Sequence, residues 1–229
     1  MADILLVRHG QASFGAEDYD RLSAIGEEQS RLLGRWLRRA RAMPDLIVTG
    51  TMRRHARTAE LCALAAGTQA PVHVLAGLDE MDHEQILARH RPDLAAPGAL
   101  VAELARAKDP HRAFQSLYAD AMARWIGGAW DGDYSCTWMR FRENVLGALA
   151  TLAGRDEPRI WAFTSGGPIA VIVNAIVGAP AERAFELAWP LVNTSQTQLS
   201  TGARRRQLVG YNAWPHLHGR GKRRFVTHR

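Results

Sequence analysis

Short apolar runs alternate with longer segments of helical periodicity along the first 75 residues of the chain, and this rhythm restricts the fold most. Residues 3–7, 46–48 and 72–75 read as strands. Between the first two, Ile25, Leu32, Leu33, Trp36 and Leu37 recur at helical spacing, behind Ser23 as a plausible N-cap and ahead of Pro44. Glu27 and Glu28 fall early in that segment, where the helix dipole favours acids. A second helix is expected from about Arg53 to Ala66. Strand–helix–strand–helix–strand is the rhythm of a parallel α/β sheet.

The rhythm breaks in the middle. Residues 81–154 read as helices and loops, punctuated by Pro92, Pro97, Pro110 and an Asp131-Gly132-Asp133 turn. Trp125, Trp130 and Trp138 fall here, and core packing is favoured over pocket lining for them. A strand returns at 160–163, followed by the tight turn Thr164-Ser165-Gly166-Gly167. Pro168 then suits the first position of a helix and Gly178 the position just past its end. Segments around 198–200 and 207–211 look like closing strands. The expected fold is a three-layer α/β/α sandwich with a mostly parallel central sheet. It forms one domain over 1–229, with a largely helical insertion over residues 81–154 at the carboxyl edge of the sheet.

Composition narrows the function. The chain has 229 residues, 47% hydrophobic and 23% charged, which suits an ordinary globular protein. The N-terminus runs directly into a strand, so no signal peptide is expected, and the longest apolar run (169–177) is too short to span a bilayer. Cys62 and Cys136 make neither a disulfide framework nor a metal cluster, and a cytoplasmic protein is expected. The net charge of +6 invites nucleic acid as a partner. Against that, only Lys108 and Lys222 among 29 basic residues are lysine, and alanine is abundant, a pairing that suggests compositional bias. The clearest basic cluster, Arg220-Gly221-Lys222-Arg223-Arg224, is expected to be a solvated, mobile tail.

Chemistry collects where strands end. The first strand stops at Arg8-His9-Gly10, an arginine fork suited to phosphate beside an imidazole that can act as a nucleophile. Gly10 lets the backbone turn closely there. By residue type alone this is equally a surface dipeptide closing a strand. The second strand leads to Arg53-Arg54-His55-Ala56-Arg57-Thr58-Ala59, and the third to Leu78-Asp79-Glu80. The run Asp79 to Glu84 with His90 could suggest a metal site, but nothing fixes a ligand geometry, so no metal and no cofactor are expected.

In this order the motifs resemble those of the histidine phosphatase superfamily, the phosphoglycerate mutase-like proteins, over nearly the whole chain. The strand plus Arg8-His9-Gly10 matches the opening. Leu22-Ser23 with Gly26 and Gln29, Arg54 with Thr58-Ala59, and Leu78-Asp79-Glu80 match in sequence. Asn193-Thr194-Ser195, Tyr211-Asn212 and His216-Leu217 match late landmarks. The resemblance implies that His9 accepts a phosphoryl group, that Arg8 and Arg54 clamp its oxygens, and that Glu80 protonates the departing alcohol. Gly10, Ser165 and Gly166 would complete the phosphate site, and Arg53 and Arg57 would lie outside it. Phosphoryl transfer needs mostly positioning and positive charge, which such a set supplies. A carboxyl acting as acid near neutral pH needs a raised pKa; burial and the phosphate charge would raise it while the arginines oppose.

Two departures stand out. Relatives usually carry a second histidine where this chain has Ser165, and an asparagine near the position of Gly15. Serine keeps a donor but brings no charge. Hydrogen bonds to charged groups contribute about 1.5–3 kcal/mol against about 0.5–1.5 for neutral ones, so a loss of roughly tenfold or more is expected. The start of the helix near Pro168 could compensate, because its amides attract anions. His83 or His55 could supply the missing imidazole. The expected function is hydrolysis of a small phosphomonoester, with inorganic phosphate as the other small partner, no membrane and no nucleic acid. The alternatives are a phosphate-binding or regulatory module with little turnover and a mutase-type transfer.

Overall fold

The computed structural model describes residues 2–13, 20–202 and 205–228. The opening apolar run forms β1 (Ala2–Arg8). Ser23 caps α1 (Ala24–Arg39), its hydroxyl accepting from the Gly26 amide at 3.1 Å, and Arg38 and Arg39 sit in the last turn, where the dipole favours cations. β2 (Leu46–Thr49) is buried throughout. α2 (Arg53–Ala66) stops on Gly67, whose φ of 73° is left-handed. β3 (Val72–Val74) follows as an exposed edge strand. The middle of the chain forms α3 (His83–His90), α4 (Ala99–Arg106), α5 (Pro110–Ile126) and α6 (Trp138–Ala153). Then come β4 (Arg159–Thr164), α7 (Gly166–Val177), β5 (Gln196–Thr201) and β6 (Arg206–Ala213).

The strands make one six-stranded mixed sheet in the order β3-β2-β4-β1-β5-β6. The pairs β3–β2, β2–β4 and β4–β1 are parallel, whereas β5 and β6 close the sheet antiparallel. The first strand in the chain is therefore central. Arg8 at its end stands opposite Thr164 at the end of β4, so Arg8-His9 and Thr164-Ser165 leave the sheet side by side.

Val7, Leu33, Leu37, Ile47, Cys62, Trp161 and Phe163 pack into a core joining β1, α1, β2, α2 and β4. Burying each large side chain contributes about 1.5–3 kcal/mol. α7 is apolar on every side and is buried from Gly166 to Asn174. It begins two residues earlier than the sequence suggests, so Pro168 occupies its third position. That costs nothing, because amides of the first turn have no intrahelical partner. Gly178 ends it in the left-handed region, as expected.

The chain divides into two compact units, Met1–Glu80 with Asn144–Arg229, and Met81–Glu143. The second is helical. Trp125 and Trp138 are buried in it with ring centroids 5.5 Å apart, and the Trp125 indole donates to the Cys136 carbonyl at 2.9 Å. Trp130 is exposed, and the Arg124 guanidinium lies over its ring at 4.9 Å.

The basic cluster is solvated as expected, with Arg220, Gly221, Arg223 and Arg224 exposed, but residues in and after it are bonded to the rest of the chain. Lys222 donates to the His216 carbonyl at 3.0 Å, and Gln29 donates to Phe225 O and Thr227 Oγ1 at 2.7 and 2.8 Å. The buried side chain of Gln29, absent from any composition argument, thus ties down Phe225 and Thr227. Among the described residues no helix is long and apolar enough to cross a membrane.

Candidate active site

His9 follows directly on β1 and is 5% exposed. Its backbone is held from three sides. His9 N–H donates to Thr164 O at 2.9 Å, Asn193 Nδ2 donates to His9 O at 3.1 Å, and the Thr194 amide donates to Arg8 O at 3.0 Å. The ring is fixed too: Nδ1 lies 2.7 Å from Gly10 O. Only a protonated Nδ1 can bond a carbonyl, so Nε2 carries the lone pair. Burial, then Arg54, Arg8 and His55, hold the imidazole well below its usual pKa, against the Gly10 carbonyl, which favours the cation. The neutral ring is what a nucleophile requires.

The loop after His9 is pressed against α1 and α2. A Cβ on Gly10 would lie 2.5 Å from the Gly26 carbonyl oxygen, so only glycine fits. Gly10 N–H donates to Thr58 Oγ1 at 3.0 Å, and that hydroxyl donates to Arg54 O at 2.7 Å. Thr58 thus couples the loop after His9 to the turn of helix carrying Arg54. Gln11 N–H donates to Gln29 Oε1 at 2.8 Å. These bonds give physical roles to several motif residues.

The two arginines reach His9 from different elements. Arg8 extends from β1, donates to the Leu191 carbonyl, and would lie 3.9 Å from a Cβ built on Gly166. Arg54, 5% exposed, sits in the first turn of α2 and pairs with Asp20 at 2.8 Å. Asp20 also accepts from the Arg53 amide at 2.8 Å, fixing the start of that helix. Arg57 turns away to Glu27 and Glu60 at 2.9 and 3.0 Å.

Glu80 accepts from the Gly167 amide at 3.2 Å, one of the first-turn amides of α7. The acidic run around it is not a uniform solvated face. Asp79 accepts from the Thr51 amide at 2.6 Å, and Asp82 caps α3. Among the described residues no three or more histidine, cysteine or carboxylate side chains are grouped so as to hold a metal ion.

Ser165 is fully buried at the end of β4. The two histidines weighed as substitutes part here. His55 Nε2 lies 2.7 Å from Ser165 Oγ, and its ring centroid is 5.7 Å from that of His9. His83 belongs to the helical unit and bonds the Tyr118 hydroxyl. Gly15 lies outside the described residues. The sequence reading undervalued Asn193 and Thr194. Thr194 holds φ 61°, a strained value for a β-branched residue, and its hydroxyl donates to the Asn193 carbonyl and lies 2.9 Å from His216 Nε2. The signal was present in the Asn-Thr-Ser landmark, but its purpose was not.

A family model described as the histidine phosphatase superfamily (branch 1) matches residues 4–213. No curated protein matches the chain significantly. Among solved structures, a mutant phosphoserine phosphatase from Entamoeba histolytica in complex with phosphoserine is similar at TM-score 0.65 and 16% identity, covering 95% of this chain and 100% of that one. A putative alpha-ribazole-5'-P phosphatase from Escherichia coli gives 0.65 and 20%, over 93% and 96%. A mycobacterial glucosyl-3-phosphoglycerate phosphatase complexed with VO3 gives 0.54 and 26%, over 93% and 100%.

Proposed function

The chain belongs to branch 1 of the histidine phosphatase superfamily, and from that premise we propose that it hydrolyses a small phosphomonoester through a phosphohistidine on His9. The observation that carries this reading is the state of His9: buried, with Nδ1 tied to Gly10 O, Nε2 carrying the lone pair, and burial with the charges of Arg54 and Arg8 favouring the neutral ring. His9 Nε2 attacks phosphorus as the P–O bond to the alcohol breaks. Glu80, beside the first turn of α7, gives its proton to the departing oxygen. Water then attacks the phosphohistidine, Glu80 takes back a proton, and phosphate leaves with the P–N bond broken. Arg8 and Arg54 stabilise the equatorial oxygens in both halves. Gly10, Ser165 and Gly166 border the phosphate.

The solved phosphatases named above act on, or were crystallised with, small phosphorylated compounds or an oxyanion, which supports a small substrate without naming it. A phosphate-binding module with little turnover is favoured by one observation, the serine at 165. Steady-state turnover of a chromogenic aryl phosphate separates the two. The enzyme reading expects turnover that falls at least about a thousandfold in His9→Ala. Saturable phosphate binding with no turnover in the unaltered protein would refute it.

A further inference from the structure

Ser165 stands at the residue before α7, where a serine ordinarily turns its hydroxyl to an amide of the first turn. It makes no such bond. The hydroxyl lies 2.7 Å from His55 Nε2 instead, and both side chains are fully buried. Something has diverted a helix cap toward an imidazole. On the other side of the ring, His55 Nδ1 faces Asp79 Oδ1 at 3.8 Å. That approach depends on Gly50, where a Cβ would lie 2.4 Å from both of those atoms. Asp79 is held in place by the Thr51 amide and hydroxyl at 2.6 and 2.5 Å. Serine, histidine and aspartate thus form one row across the ends of β4, α2 and β3's following turn.

Such a row is an expensive way to fill space. Among the described residues Nδ1 of His55 has no hydrogen-bond partner. A buried polar group in that state costs stability, and an apolar residue of similar size would avoid the cost. The ring's position explains its presence better, since its centroid is 5.7 Å from that of His9. The surroundings also make its charge responsive. Burial and Arg54 on its own helix hold His55 at about 3, while Glu80 and Asp20 pull the other way. Asp79 faces Nδ1, and His9 lies across the site. A dianionic phosphate entering beside the ring adds to the groups that favour the imidazolium.

We propose that His55 supplies the second imidazole of the reaction and acts through Ser165. Nε2–H donates to Ser165 Oγ, which directs the serine's own proton to a non-bridging oxygen of the phosphoryl group in transit to His9. Ser165 is the group that touches phosphate, and His55 is the positioning residue. When phosphate loads, the second proton on His55 sits at Nδ1 and points toward Asp79. This rests on the phosphohistidine reading above.

Rapid-quench measurement of phosphoenzyme formation from an aryl phosphate tests it, using His55→Phe, His55→Gln, Ser165→Ala and the double variant Ser165→Ala/His55→Phe. His55→Phe and Ser165→Ala should each slow phosphorylation by about tenfold to a hundredfold. The dissociation constant for inorganic phosphate should rise in each by less than the phosphorylation rate falls, as expected for a contact that strengthens in the transition state. Because the two residues act as one unit, the double variant should be no slower than the slower single. His55→Gln, which keeps an amide donor, should recover part of the loss and flatten the pH profile. Wild-type phosphorylation in His55→Phe, or losses that multiply in the double variant, would overturn the inference alone. Absence of any phosphoenzyme in the unaltered protein would instead remove the reading of His9 and this inference with it.

Discussion

β1 and β4 are parallel neighbours that end at the same level of the sheet, yet they are finished differently. β1 ends in Arg8-His9-Gly10 and delivers a guanidinium, an imidazole and a tight turn from three consecutive residues. β4 ends in Thr164-Ser165-Gly166 and delivers no charge. Thr164 turns inward to the Leu78 carbonyl at 2.5 Å, and Ser165 turns to His55. The imidazole that β4 lacks is set beside it by α2, one residue beyond Arg54. The lesson is that a site is assembled from positions in space. A strand end and a helix start packed on it can place side chains together that lie far apart in the chain.

The comparison makes ordered predictions. The largest loss belongs to the charged clamp around the β1 end. Arg54→Ala should lower kcat/KM on an aryl phosphate by about a hundredfold to a thousandfold, as for removal of one preorganised donor. Arg54→Lys should recover little, because an ammonium cannot fork two bonds. Ser165→Ala should cost less than Arg54→Ala; equal costs would break the contrast between the two strand ends.

Acid stability comes next. His9, His55 and His216 are buried and held below their usual pKa, His55 and His216 at about 3, burial being the main cause. Unfolded, each titrates near about 6.5. Between those values the unfolded chain binds more protons than the folded one. The contribution of His55 and His216 is therefore complete above about pH 6.5 and is lost as pH falls toward about 3, at about 1.4 kcal/mol per pH unit for each, and His9 adds a loss of the same sign. Urea unfolding should show stability dropping between pH 7 and pH 5. His216→Gln should give a shallower slope, since it removes one of these groups while leaving every side chain of the β1 and β4 ends in place.

The smallest effect sharpens the assignment of the arginines. Arg57 is two-fifths exposed and pairs with Glu27 and Glu60 at the surface. Arg57→Ala should leave turnover unchanged and cost less than about 1 kcal/mol in unfolding experiments.

Much of this arrangement was legible in the residues. Apolar runs marked β1, β2 and β4, and α2 spans the residues that its pattern suggested. What escaped has physical reasons. Short alternating runs carry no direction, so β5 and β6 could be recognised as strands but not as antiparallel ones. Arg54 and His55 are adjacent, and neighbours on a helix point about 100° apart, which argues against both facing one site. Both are nevertheless buried, because the first turn of α2 is enclosed on two sides, by Asp20 at one and by Ser165 and Asp79 at the other. The attachment of the tail was not legible from its charge, because bonds from Gln29 to Phe225 and Thr227 join residues nearly the whole chain apart. Pro168 was placed by a rule for the first helical position, but the two glycines before it already turn with the helix.

The most direct test of the account is where the phosphate goes. The protein is mixed with an aryl phosphate, quenched within milliseconds in alkali, and digested for mass spectrometry. The account predicts one acid-labile phosphate on the peptide that contains His9, missing in His9→Ala. Turnover with no phosphorylated His9, or phosphate carried by His55 or Ser165, would contradict it.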